Sequence, residues 1–178
     1  MINSDAPFER FLKKEGLSLK MPESETEKRD IERARAKKVT ASKKFHAVKG
    51  RLGILIDGTG HKYDKVADQA TMLQQIGYET SMVFVNTSLE VALTRNANRP
   101  RSVKPTIVKK SWQDVQNNMG KFQQFFGPKN FFIVDNNGVE EDMLEISTKL
   151  IKRAITKPVN NKIASAWIAN ELKKKDRS

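Results

Sequence analysis

Three short apolar runs constrain this chain more than any other feature. Residues 52–56 read Leu-Gly-Ile-Leu-Ile and end at Asp57; residues 81–85 read Ser-Met-Val-Phe-Val and end at Asn86; residues 131–134 read Phe-Phe-Ile-Val and end at Asp135. A continuous run of this length, closed by a polar residue, suits a strand buried on both faces, as in a parallel sheet. Between the runs lie stretches with helical periodicity. Residues 27–48 form a long basic helix whose sparse apolar face is Ile31, Ala34, Val39, Ala41, Phe45 and Val48, with Gly50 and Gly53 closing it. Residues 63–76 form a second helix, closed by Gly77 at its C′ position. Thr87-Ser88-Leu89-Glu90 is a T-x-x-E capping pattern opening a short helix to about residue 97. Residues 106–126 carry Ile107, Val108, Trp112, Val115, Met119, Phe122 and Phe126 at helical spacing, and Gly127-Pro128 stops them. A short helix near residues 7–15 precedes all of this, and two helices near 140–154 and 162–174 follow. The alternation of strands and helices assigns the chain to the α/β class with a parallel sheet. Residues 1–138 read as one α/β domain, and residues 139–178 as helices packed on or extending it.

Composition removes whole function classes. There is no cysteine, so no disulfide and no thiolate ligand or nucleophile; the two histidines, His46 and His61, are not at metal-ligand spacing. No metal site is expected. No stretch approaches a membrane span, and the first residues lack a signal-peptide core, so a cytoplasmic protein without a membrane partner is expected. The net charge is +12. Residues 26–51 hold ten basic and three acidic side chains, and Arg95, Arg99, Arg101, Lys104, Lys109 and Lys110 form a second cluster without an acid. Fields of this kind attract phosphate, on nucleic acid, nucleotide or metabolite.

In parallel sheets ligands sit beyond the carboxyl ends of the strands. That rule selects Asp57-Gly58-Thr59-Gly60, Asn86-Thr87 and Asp135-Asn136-Asn137, together with Asn3-Ser4-Asp5 if Ile2 ends a strand. Arg95 and Arg99, four apart, share one helical face, and Arg101 lies two residues further on. Carboxylates at strand ends beside mobile arginines suit phosphoryl transfer: one takes the proton of the attacking hydroxyl, and the arginines neutralise the moving phosphoryl group. Each feature also has a plainer reading. Asp5 reads equally as a helix N-cap, residues 57–60 as a strand-to-helix turn, and Arg95 with Arg99 as positive charge complementing a helix dipole.

At these residues the chain resembles the P-loop kinase superfamily, in particular polynucleotide 5′-hydroxyl kinases and the zeta-toxin group. The resemblance rests on Asn3-Ser4-Asp5, on Ile54-Leu55-Ile56-Asp57-Gly58-Thr59, on Arg95-Asn96-Ala97-Asn98-Arg99, and on a proline-bounded lid followed by a long helix ending in Gly127. It implies a three-layer P-loop NTPase-like fold. It implies Asp5 as general base, Asp57 contacting the acceptor or orienting the base, and Arg95, Arg99 and Arg101 as nucleotide-phosphate contacts from the lid. Asn3, Arg10 and Thr59 would lie on the substrate side. Arg10 replaces an arginine that polynucleotide kinases carry three residues past the base, where this chain has Phe8. ATP and Mg²⁺ are the implied cofactors. The chain departs from the family in having no G-x-x-x-x-G-K-[ST] motif; its only Gly-Lys pair, Gly120-Lys121, falls inside a helix. The expectation is therefore a kinase-like fold without its first strand, P-loop and first helix. Such a chain would transfer a γ-phosphoryl group only when completed by a P-loop-bearing partner or upstream segment. The alternatives are a non-catalytic basic module for nucleic acid, or an interaction subunit whose open sheet accepts a partner's strand.

Overall fold

The computed structural model describes residues 1–138 and 140–176. The segment from 139 onward therefore has its first residue and its last two outside the described residues. The elements are helices α1 (Asp5–Lys14), α2 (Thr26–Lys49) and α3 (Tyr63–Gln75), strand β1 (Met82–Asn86), helices α4 (Leu89–Asn98) and α5 (Pro105–Phe126), strand β2 (Phe131–Asp135), and helices α6 (Glu140–Ile155) and α7 (Lys162–Lys175). The class is α/β, mostly helical, with a small parallel sheet. The chain separates into two compact units. The first comprises Met1–Thr59 and Ala92–Ser111, the second Gly60–Val91 and Trp112–Ser178.

The second unit is built on the sheet. β1 and β2 pair in parallel, with Met82 opposite Phe131 and Asn86 opposite Asp135. Phe84 and Phe131 point to one side and meet Phe122 of α5, which is fully buried; Tyr63, Val66, Val115, Met119 and Phe126 pack around them. Phe84, Phe131, Val115, Met119, Phe122 and Phe126 are among the residues that the apolar runs and the helical spacing of α5 nominated; Tyr63 and Val66 come from α3. Burying one such aromatic stabilises by about 3 kcal/mol relative to exposure. Gly77 closes α3 as expected. Its φ is +99°, and the N–H groups of Gly77 and Tyr78 return to the carbonyls of Gln74 and Leu73, the paired bonds of a Schellman cap. One capping assignment needs correction. Ser88, not Thr87, caps α4: its Oγ accepts from Val91 N–H at 3.2 Å. Thr87 instead offers its carbonyl to the Trp112 indole at 2.7 Å.

The first unit is built on a helix pair. Phe8, Phe11 and Leu12 of α1 close over Ala36 of α2, with Leu17, Leu19 and Met21 at the margin. Here two expectations fail. The face of α2 that packs is not the apolar one. Glu32 and Ala36 are buried, whereas Ile31, Val39 and Phe45 are 62%, 40% and 63% exposed. Only a residue as small as Ala36 lets α1 approach, and the bulky residues are left outside. Arginines finish the packing: Arg33 lies 4.3 Å from the Phe8 ring centroid and Arg35 4.4 Å from that of Phe11, at cation–π range. The second failure is residues 52–56. They make one isolated parallel bridge, Ile2 with Ile56, rather than a strand. Leu52, Leu55 and Ile56 remain 59%, 55% and 38% exposed. An apolar run becomes a buried strand only where neighbours supply both its hydrogen bonds and its cover, and this run has a single bridge.

Candidate functional site

The bridge positions the chemistry. Ile2 N–H donates to Leu55 O at 2.7 Å, and Asp57 N–H donates to Ile2 O at 3.1 Å. Parallel pairing puts the next residues of both segments on the same, carboxyl side. There Asn3 Nδ2 donates to Asp57 Oδ2, and Asn3 Oδ1 accepts the Asp5 N–H. The main-chain carbonyl of Asn3 faces Thr40 Oγ1 of α2, 3.4 Å away. Asn3 thus ties the start of the chain to Asp57 on one side and to the first turn of α1 on the other. Asp5 is the first residue of α1; the N-cap position is Ser4, with no side-chain cap bond, so the reading of Asp5 as an N-cap does not hold. No helix follows residues 57–60 directly, since α3 starts at Tyr63.

Arg101 completes the arrangement. Its Nη2 lies 3.0 Å from Asp5 Oδ2, and its Nε donates to Glu9 Oε1 at 2.8 Å. The Arg101 side chain is only 13% exposed, against 54% for Asp5 and 38% for Glu9. Asp5 and Glu9 are one helical turn apart, so both carboxylates face one way and share one guanidinium. The loop carrying Arg101 is held by Asn96, a buried residue of α4. Asn96 Nδ2 donates to Val103 O at 2.8 Å, and its Oδ1 accepts from Val103 N–H at 3.0 Å and from Arg99 Nη2 at 3.3 Å. Lys104, at the loop's end, pairs with Glu23 and holds that carboxyl below the usual carboxylate range, through its hydrogen bond first and its charge second.

Asn3, Asp5, Asp57 and Arg101 are therefore linked into one network. Arg99 bonds Asn96 instead. Arg95 sits in the last turn of α4, and Thr59 is exposed two residues past Asp57. Arg10 lies over the Phe11 ring, 5.4 Å from its centroid. Two residues escaped the sequence reading. Glu9 had a usable signal, an acid at i+4 from Asp5. Asn96 stood between the arginines of Arg95-Asn96-Ala97-Asn98-Arg99, but only the fold reveals it as the clamp of the loop that carries Arg101.

The arrangement sets two carboxylates, Asp5 and Glu9, against one guanidinium and a third, Asp57, against the Asn3 amide. Asp5 and Glu9 are turned onto Arg101, Asp57 accepts from Asn3, and among the described residues no three His, Asp or Glu side chains are grouped to hold a metal ion.

The carboxylate–arginine network lies beside the isolated Ile2–Ile56 bridge of an α/β chain. The family model described as Zeta toxin matches residues 21–144, and the chain belongs to that family, which is P-loop kinase-like and generally uses a nucleotide with Mg²⁺. The matched stretch contains Asp57, Thr59, Arg95, Arg99 and Arg101, and begins after Asn3, Asp5 and Arg10. No curated protein and no solved structure matches the chain. Among the described residues no helix is long and apolar enough to cross a membrane.

Proposed function

We propose that these 178 residues supply the acceptor side and the arginine lid of a phosphotransferase. The phosphate cradle would come from a P-loop-bearing segment of the same or another chain. The observation that carries this reading is the network on the carboxyl side of the Ile2–Ile56 bridge: Asn3 bonded to Asp57, and Asp5 paired with Arg101. Asp5 is the general base that takes the acceptor's proton. Asp57, fixed by Asn3, orients the acceptor. Arg101 sets the Asp5 carboxylate in place, and Arg99 and Arg95 extend the positive rim of the lid. A polynucleotide end, a nucleotide sugar and a small metabolite each present a hydroxyl such a base could serve. The family match favours the zeta-toxin group over the polynucleotide kinases.

The test uses the chain combined with a segment carrying G-x-x-x-x-G-K-[ST], labelled nucleotide and a panel of hydroxyl acceptors. Asp5→Asn should reduce transfer by about 10²–10⁴-fold while nucleotide binding persists. Full transfer by the Asp5→Asn chain would refute the assignment of the base.

A further inference from the structure

A second surface, on α2, goes beyond phosphotransfer and does not depend on it. From Arg33 to Arg51 the chain holds eight Lys or Arg residues and no Asp or Glu. The fold sorts these cations. Arg33 and Arg35 are spent on packing over Phe8 and Phe11, and Arg35 also lies 3.5 Å from Glu32. Lys37, Lys38, Lys43 and Lys49 are exposed, and no described carboxylate pairs with them. Along the solvent side of α2, Lys38, Ser42, Phe45 and Lys49 follow one another at spacings of four, three and four, so they form one stripe about 16 Å long. Phe45 stands out of that stripe 63% exposed, with the His46 ring edge-on at 5.4 Å.

An unneutralised row of lysines interrupted by one bare aromatic ring has a specific complement. The lysines match a row of phosphates, and the ring matches an unpaired base, whose flat face stacks irrespective of sequence. A membrane surface fits less well. Ile31 and Phe45, the large apolar residues on this side, are separated by Lys38 and by about 21 Å of helix, whereas an interfacial helix needs a continuous apolar face. We propose that the exposed stripe of α2 binds single-stranded nucleic acid, with Lys38 and Lys49 on backbone phosphates, Lys37 to one side, and Phe45 stacked on a base.

The experiment is fluorescence anisotropy of the full chain with a labelled oligothymidylate about twenty nucleotides long, enough to span a site of about 4–16 nucleotides. An oligouridylate arm tells whether DNA or RNA is preferred. The logarithm of affinity should fall against the logarithm of salt with a slope near −0.7 per phosphate contacted, so about −2 to −3 for three or four contacts. Lys38→Glu with Lys49→Glu should weaken binding by about tenfold or more and flatten the slope by about 1.4. Phe45→Ala should weaken the single strand about fivefold or more and leave a duplex probe unchanged. The salt slope needs no variant, so it keeps the proposal falsifiable should a variant misfold. The proposal is overturned by absence of binding at low salt, by affinity unchanged in the Lys38/Lys49 reversal, or by binding to phosphatidylserine vesicles without binding to the oligonucleotides.

Discussion

Residues 52–56 and β1 are both short apolar runs ending in a polar residue, yet they meet different fates. In the second unit β1 lies against β2 over five residue pairs, and Phe84 is buried under Phe122. In the first unit residues 52–56 make one bridge, and Leu52 and Leu55 stay more than half exposed. The cores follow suit. One is a sheet covered by aromatics from α5; the other is two helices meeting at Ala36 and finished by arginines on phenylalanine rings. Hydrophobicity alone thus does not decide where a strand forms. The decision rests on which segment offers matching backbone hydrogen bonds and a cover.

The contrast can be broken most forcefully at the two cores. Phe122→Ala and Leu12→Ala each empty a fully buried position, and each should cost about 2–5 kcal/mol in chemical unfolding. A cost well under 1 kcal/mol at Leu12 would mean that the helix pair is not a core at all. Next comes the lid. Asn96→Ala removes the partners of both Val103 backbone groups and of Arg99. It should cost about 1–3 kcal/mol and speed amide exchange at Val103, which an unmoved exchange rate would disprove.

The two helix ends give a smaller comparison with opposite signs. α2 ends in the same bond pattern as α3, with Arg51 N–H to Val48 O and Leu52 N–H to Ala47 O, but its left-handed residue is Arg51, at φ +52°, where α3 has Gly77. Gly77→Ala should destabilise by about 1–2 kcal/mol, because its Cβ would also come within 3.0 Å of Ala164 N. Arg51→Gly should be neutral or stabilising by up to about 1 kcal/mol. Thermal melts of the pair that shift in the same direction would contradict the matched caps.

The smallest effect concerns Glu23. Lys104 lowers its carboxyl in the folded chain, so the pair adds stability above the ordinary carboxylate range and loses it as pH falls through the lowered value. Lys104→Gln should therefore narrow the stability difference between neutral and acidic pH slightly. A wider difference would reverse the sign and break the assignment.

Much of this fold is legible in the sequence. The helices, β1, β2 and Gly77 follow from periodicity and turn chemistry, which act locally. The failures share a cause. The outward Ile31 and Phe45, the single bridge of residues 52–56 and the clamp at Asn96 depend on what a distant segment brings, and local patterns do not encode that. The candidate site divides along the same line. Asp5, Asp57 and Arg101 are visible as polar residues after apolar runs or in a basic loop. Their linkage through Asn3, and the sharing of Arg101 with Glu9, exist only once Ile2 has met Ile56.

The central claim is that these residues supply an acceptor site and lid while the phosphate cradle lies elsewhere. A calorimetric titration of the purified chain with Mg·ATP tests it most directly. The account predicts no saturable binding tighter than about 1 mM, near −4 kcal/mol. Saturable binding well below that concentration would mean that these residues build a triphosphate cradle of their own, and would contradict the account.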